Sequence, residues 1–182
     1  MRTDYVIQLA SPEHIDQLPE IERLAVTTFG DLLPQSVLEH VTPAGTLATA
    51  QRADLLWVAL DPAGTPVGFA VASVCGRRVH LGELDVLPEH GRQGVGSALV
   101  EAIERWALNS GYIEITLTTF RDVPWNAPFY ARIGYVAIPE EELDAELIRL
   151  LSDETALGLE RSRRVAMRKP LSPPYCSQKE ST

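Results

Sequence analysis

The chain has 182 residues, 45% of them apolar and 23% charged, and carries a formal net charge of −9. That length suits one domain with a substantial core, and the composition argues against a disordered or membrane-spanning chain. The acidic balance argues against non-specific binding to nucleic acid or to anionic membranes, and suits a cationic substrate or partner.

The opening residues, MRTDYVIQLASPEH, lack the apolar core of a signal peptide, so a cytoplasmic location is expected. Cys75 and Cys176 stand at no metal-ligand spacing from His14, His40, His80 or His90, which leaves neither a disulfide framework nor a metal site. YVIQLA (5–10) alternates as a strand does. Ser11-Pro12-Glu13 then supplies an N-cap, a first-turn proline and an early acid, predicting a helix to about Phe29 with Ile15, Leu18, Ile21, Leu24 and Ala25 on its inner face. Residues 34–50 read as a weaker helical region broken by Pro43 and Gly45.

The texture then changes. LLWVAL (55–60), the turn DPAGTP and VGFAVASVC (67–75) predict an antiparallel hairpin, and RVHLGELDVL (78–87) a third strand that stops at Pro88. Val95, Ala98, Leu99, Ala102, Ile103 and Trp106 mark one face of a helix that Asn109-Ser110-Gly111 ends. Downstream come a strand at 112–120, a short helix at 124–132, a strand at 134–138, a helix over the acidic segment 140–158 and a last strand at 164–171. Acids dominate Glu140 to Glu160, where Arg149 is the one base; a solvated helix face is the expected reading, a partner surface the alternative. Residues 172–182, SPPYCSQKEST, read as a disordered tail.

The loop HGRQGVGSAL (90–99) joins a strand to that helix. Such a turn gathers free backbone N–H groups and the positive end of a helix dipole, a place for an anion. Gly91, Gly94 and Gly96 are spaced G-x-x-G-x-G, the reverse of the dinucleotide fingerprint, and no lysine precedes Ser97 as a nucleotide P-loop requires. The strand before the loop belongs to an antiparallel meander, which is not how a Rossmann unit begins. Glycines that merely allow a tight connection remain the plain alternative.

Two stretches in order go further. LDVLPEHGRQGVGSALVEAIERWALNSGY resembles the acyl-CoA-binding core of the GNAT superfamily of N-acetyltransferases, and LTTFRDVPWNAPFYARIGYVAI resembles its second conserved block; together the likeness covers about residues 55–138. It implies an α/β chain of the α+β type, a central mixed and mostly antiparallel sheet with splayed middle strands flanked by helices, with residues 1–171 as one domain. It implies acetyl-CoA as co-substrate, no metal, and a small-molecule or peptide amine as acceptor; nucleic acid and membrane are not expected partners, and a homodimer is admitted. By the same resemblance Leu84 and Val86 flank the pantetheine arm, while Arg92, Gln93, Gly94, Val95, Gly96 and Ser97 present N–H groups to the pyrophosphate. Arg92 would add a charge-assisted bond of about 1.5–3 kcal/mol. Gly91 stands where relatives often carry arginine or glutamine.

Direct transfer to an amine needs a base and an acid. The resemblance assigns the acid to Tyr130, otherwise a core aromatic beside Phe129. Asn126, four residues earlier, either contacts the pantetheine or caps the short helix; Val123 occupies the position where relatives often have asparagine. For the base, strict alternation puts Glu83 and Asp85 on one strand face and His80, Gly82 and Leu84 on the other. Glu83 and His80 are rival candidates, a solvent-facing Glu83 and a satisfied strand histidine the plain alternative. The expected activity is therefore acetyl-CoA-dependent N-acetyl transfer, with a non-catalytic acyl-CoA-binding sensor or interaction module as the alternative and a dinucleotide enzyme a distant third.

Overall fold

The computed structural model describes residues 4–171; the expected tail at 172–182 lies outside the described residues. Seven strands form one sheet in the order β1-β2-β3-β4-β5-β7-β6: β1 (Val6–Leu9), β2 (Leu56–Leu60), β3 (Pro66–Cys75), β4 (Arg78–Val86), β5 (Glu114–Phe120), β6 (Val136–Ala137) and β7 (Arg164–Pro170). The β4–β5 pair is parallel and the other neighbours are antiparallel. The β2–β3 turn is built by Asp61, whose Oδ1 accepts from Ala63 and Thr65 N–H, with Gly64 at φ +84°.

Both faces of the sheet are covered. Helix α4 (Val95–Asn109) turns Val95, Leu99, Val100, Ile103 and Ala107 onto Trp57, Ala70, Val79 and Leu81. Leu99 is fully buried, a contribution of about 1.5–3 kcal/mol. On the opposite face Leu18 and Ile21 of α1 (Leu18–Ala25) and Leu47 of α3 (Ala44–Arg52) pack on Leu56, Val58 and Phe69. Among the described residues no helix is long and apolar enough to cross a membrane.

Three local expectations are corrected. The first helix is not continuous to Phe29: a 3-10 turn at Pro12–Gln17 precedes α1, and a second at Val26–Leu32 follows it. Pro19 lacks the N–H that would continue the ladder into α1. At the far end the Thr27 and Thr28 hydroxyls donate to Leu24 and Ala25 carbonyls, and Gly30 leaves helical geometry at φ 49°, ψ −129°. Pro43 does not interrupt a helix but precedes α3 as its N-cap; before it lies only the single turn α2 (Gln35–Leu38).

The acidic segment is split. A 3-10 turn at Glu140–Glu142 ends before Asp144, whose carboxylate accepts from Glu146 and Leu147 N–H and starts α6 (Ala145–Ala156). Nor is it simply a solvated face: Glu140 pairs with Arg161, Glu142 with Arg168, Asp144 with Arg78 and Glu154 with Arg164, so the acids fasten the segment to β4, β7 and the turn before β7.

Candidate active site

Strands β4 and β5 pair only from Arg78–Leu81 against Glu114–Leu117, then part. At the same point β4 carries a bulge: Ala72 faces Leu81 but Val71 faces Glu83, leaving Gly82 as the extra residue. A one-residue bulge inverts the side-chain alternation beyond it. Leu84 and Val86 therefore join Leu81 and Val79 on the α4 face. His80, Glu83 and Asp85 share the opposite face, which corrects the alternation expected for an unbroken strand.

A cavity of about 400 Å³ fills the opening between the parted strands. Glu83, Leu84 and Asp85 from β4, Thr118, Thr119 and Phe120 from β5, and Asn126 and Tyr130 line it, Tyr130 standing on α5 (Ala127–Arg132) and Asn126 at that helix's N-cap. Burial, followed by the nearby charge of Glu22, pushes the Glu83 carboxyl up to about 7. Burial, then Glu83, raises the Asp85 carboxyl well above its ordinary value, and its Oδ2 is buried without a partner. A carboxyl poised near neutrality is suited to accept a proton.

Tyr130 is 8% exposed, and burial and then the two carboxyls raise its phenol further above its ordinary range. It therefore stays protonated near pH 7. Its ring sits edge-on to Phe129 at 5.0 Å and to Tyr135 at 5.7 Å. The Asn126 side chain does not cap α5: its Nδ2 donates to Thr119 Oγ1 at 2.9 Å, and its backbone carbonyl instead accepts from Phe129 and Tyr130 N–H. Val123 is buried, packed with Leu33 and Phe120. His80 lies outside the cavity lining. It is bonded to Thr116 Oγ1 at 3.1 Å and is pushed down to about 4 by burial, so it is neutral near pH 7.

The glycine loop lies beside the parted half of β4, on its α4 face. Gly94, at φ +89°, turns the chain into α4 and supplies no side-chain cap, so the first-turn N–H groups of Val95, Gly96 and Ser97 have no intrahelical acceptor. Gly96 lies over the parted half of β4: a Cβ there would meet Leu84 Cδ2 at 3.9 Å and Val86 Cγ2 at 4.0 Å. Arg92 is exposed and adopts φ 56°. The Gln93 side chain is tied into the loop, donating to the Glu89 carbonyl at 2.8 Å and accepting from the Tyr5 hydroxyl at 3.0 Å. An open strand edge ending on a helix N-terminus fits an extended, amide-bearing arm with an anionic end, the chemistry of an acyl-CoA.

Several cavity residues carried no sequence signal. Glu22 of α1 is buried and accepts from Thr42 N–H and Oγ1. Arg164, at the start of β7, is clasped by Glu154 and lies over the Phe120 ring at 4.6 Å. Phe29 and Leu33 close the side formed by residues 26–33. These groups come from four separate elements, and only a charge-rich run around Arg164 marks any of them in the sequence.

A model of the acetyltransferase (GNAT) family matches residues 18–135. Among solved structures, PaiA N-acetyltransferase from Thermoplasma acidophilum in complex with coenzyme A superposes with a TM-score of 0.71 at 17% identity, over 92% of this chain and 99% of that one. The ribosomal-protein-S18-alanine N-acetyltransferase from Escherichia coli gives 0.66 at 16% identity, over 96% and 98%. N-acetylglutamate synthase from Neisseria gonorrhoeae, complexed with coenzyme A and N-acetyl-glutamate, gives 0.67 at 15% identity, over 95% of this chain and 36% of that one. At these identities the likeness is one of fold, and the fold is the seven-stranded, splayed sheet described above.

Proposed function

The chain belongs to the GNAT acetyltransferase family, and from that premise we propose that it transfers the acetyl group of acetyl-CoA to a primary amine of a small molecule or protein by direct attack. The observation that carries this reading is the convergence of Glu83 and Tyr130 on one cavity between the parted strands; the loop at 94–97 lies over Leu84 and Val86 of the same parted strand. PaiA and the ribosomal-protein-S18-alanine enzyme are both N-acetyltransferases by name, which supports nitrogen as the acceptor atom.

Glu83 takes one proton from the incoming ammonium, for which a carboxyl near 7 is well matched at neutral pH. The freed amine attacks the thioester carbonyl carbon; the C–N bond forms and the C–S bond breaks. Tyr130 donates to the departing sulfur, whose own proton affinity is raised by the same burial that raises the phenol. His80, neutral and bonded to Thr116, holds the β4–β5 junction and exchanges no proton with substrate. The amides of Val95, Gly96 and Ser97 hold the pyrophosphate, and Leu84 and Val86 flank the pantetheine.

The purified chain supplied with acetyl-CoA and a panel of amines should release free thiol and yield acetylated amine by mass spectrometry. Thermal stabilisation by coenzyme A with no thiol release across the panel would instead favour the non-catalytic acyl-CoA-binding module.

A further inference from the structure

The cavity beneath Glu83 has two unlike halves. Its floor is built from carboxyl groups, those of Glu22, Glu83 and Asp85. One side is apolar, formed by Val26, Phe29, Leu33, Phe120, Leu157 and Leu159, with the Phe29 ring centroid 5.7 Å from Phe120. Leu157 is 53% exposed, so this apolar side reaches the surface; Thr42, Thr118, Thr119 and Asn126 also line the cavity.

We infer that the acceptor is a primary ammonium carried on an apolar, ring-bearing body without a carboxylate. The inference rests on the acetyl-transfer reading above and names the substrate class for that same site. A cation held at the floor lies against carboxylates, and its body covers aromatic surface that water otherwise wets. A carboxylate beside the amine finds no such welcome. The basic groups lining the cavity are Arg164 and His40; Arg164 is held by Glu154 through Nε and Nη2 at 2.8 Å each, and His40 lies exposed at the rim beside Glu22. An amino acid would set its carboxylate against Glu22 and Glu83. A polyhydroxylated amine would leave the apolar side of Phe29 and Phe120 without an apolar partner. The volume, about 400 Å³, lies in the range of small-molecule sites.

The step balances: the ammonium gives one proton to Glu83, nitrogen bonds the acetyl carbon, sulfur leaves with the bonding pair and takes the Tyr130 proton, and the second nitrogen proton restores the Tyr130 phenol. Ammonium and acetyl thioester become acetamide, thiol and one proton.

The test compares kcat/KM, read by thiol release, for 2-phenylethylamine, ethylamine, phenylalanine, glucosamine, spermidine and a peptide with a free N-terminus. 2-Phenylethylamine is expected to exceed phenylalanine by at least about 100-fold, since a buried unpaired carboxylate is a severe penalty. In Phe29→Ala the ratio of 2-phenylethylamine to ethylamine should fall about tenfold. A purely structural role for Phe29 would lower both amines alike and leave the ratio unchanged, which would overturn the wall assignment. Preference for phenylalanine, glucosamine, spermidine or the peptide would overturn the inference and leave acetyl transfer standing. If coenzyme A stabilises the chain but no amine is acetylated, the acetyl-transfer reading falls and the inference with it.

Discussion

Arg164 and Glu154 form a two-pronged ion pair on the cavity wall, with Nε and Nη2 each 2.8 Å from a carboxylate oxygen and the guanidinium over the Phe120 ring. The arginine side chain is 8% exposed and the glutamate 19%. Glu154 also accepts from Thr118 Oγ1, so the pair ties α6 and β7 to the parted end of β5. Removing one partner strands the other charge in a buried setting. Arg164→Met should therefore lose about 3–5 kcal/mol in urea unfolding, and Arg164→Met with Glu154→Leu should recover most of it. A double variant no more stable than the single would show that the pair's worth lies elsewhere.

Glu83→Gln removes the proposed proton acceptor. The wild-type kcat/KM should rise with pH through about 7, where Glu83 ionises; the variant should lose about 10²–10⁴-fold in rate together with that limb of the profile. Stability runs the other way. Because the folded-state pKa lies above the ordinary value of 4.5, the folded chain holds a proton that the unfolded chain releases, and stability falls as pH rises from about 4.5 to about 7. Glu83→Gln should accordingly melt higher than wild type at pH 8, as read by a thermal scan.

Tyr130→Phe keeps the ring that packs on Phe129 and Tyr135 and deletes only the hydroxyl. We expect kcat to drop by on the order of 10²-fold, with the KM for acetyl-CoA little changed. An unaltered kcat would remove Tyr130 from the transfer step.

His80 is a stability probe rather than a kinetic one. Its pKa falls from 6.5 to about 4 on burial, so between those values the unfolded chain takes up a proton and the folded chain does not. The His80 contribution, about 3 kcal/mol in full, is lost as pH falls through this window and opposes the Glu83 contribution over the same range. It should be absent in His80→Gln, so the difference in urea midpoint between the two chains at stepped pH measures it.

Gly94 sits at φ +89°, where a β-branched side chain is strained by about 1–2 kcal/mol. Gly94→Val should shift the start of α4 and raise the KM for acetyl-CoA about tenfold, with the amine KM unaffected. Isothermal titration with coenzyme A gives an independent reading of the same loss.

The strand–loop–helix around 90–99 and the antiparallel meander before it were legible in the sequence because each rests on local rules: alternation, helical periodicity and the conformational freedom of glycine; the aromatic pair at 129–130 stood out only through the family resemblance. The break-up of the first helix was not, although Pro19, Thr27, Thr28 and Gly30 supply its causes, because several weak effects sum there against a clear apolar period.

What the sequence determined by itself is therefore the order of the strands and the glycine turn that leads from β4 into α4. The tertiary structure decided which face Glu83 occupies, since the bulge at Gly82 exists only through pairing with β3, and alternation alone put His80 on the wrong side of that choice. It also decided the character of the acceptor cavity. Glu22, Phe29, Glu154 and Arg164 lie far apart along the chain, and long-range packing alone gives them one neighbourhood and one electrostatic environment.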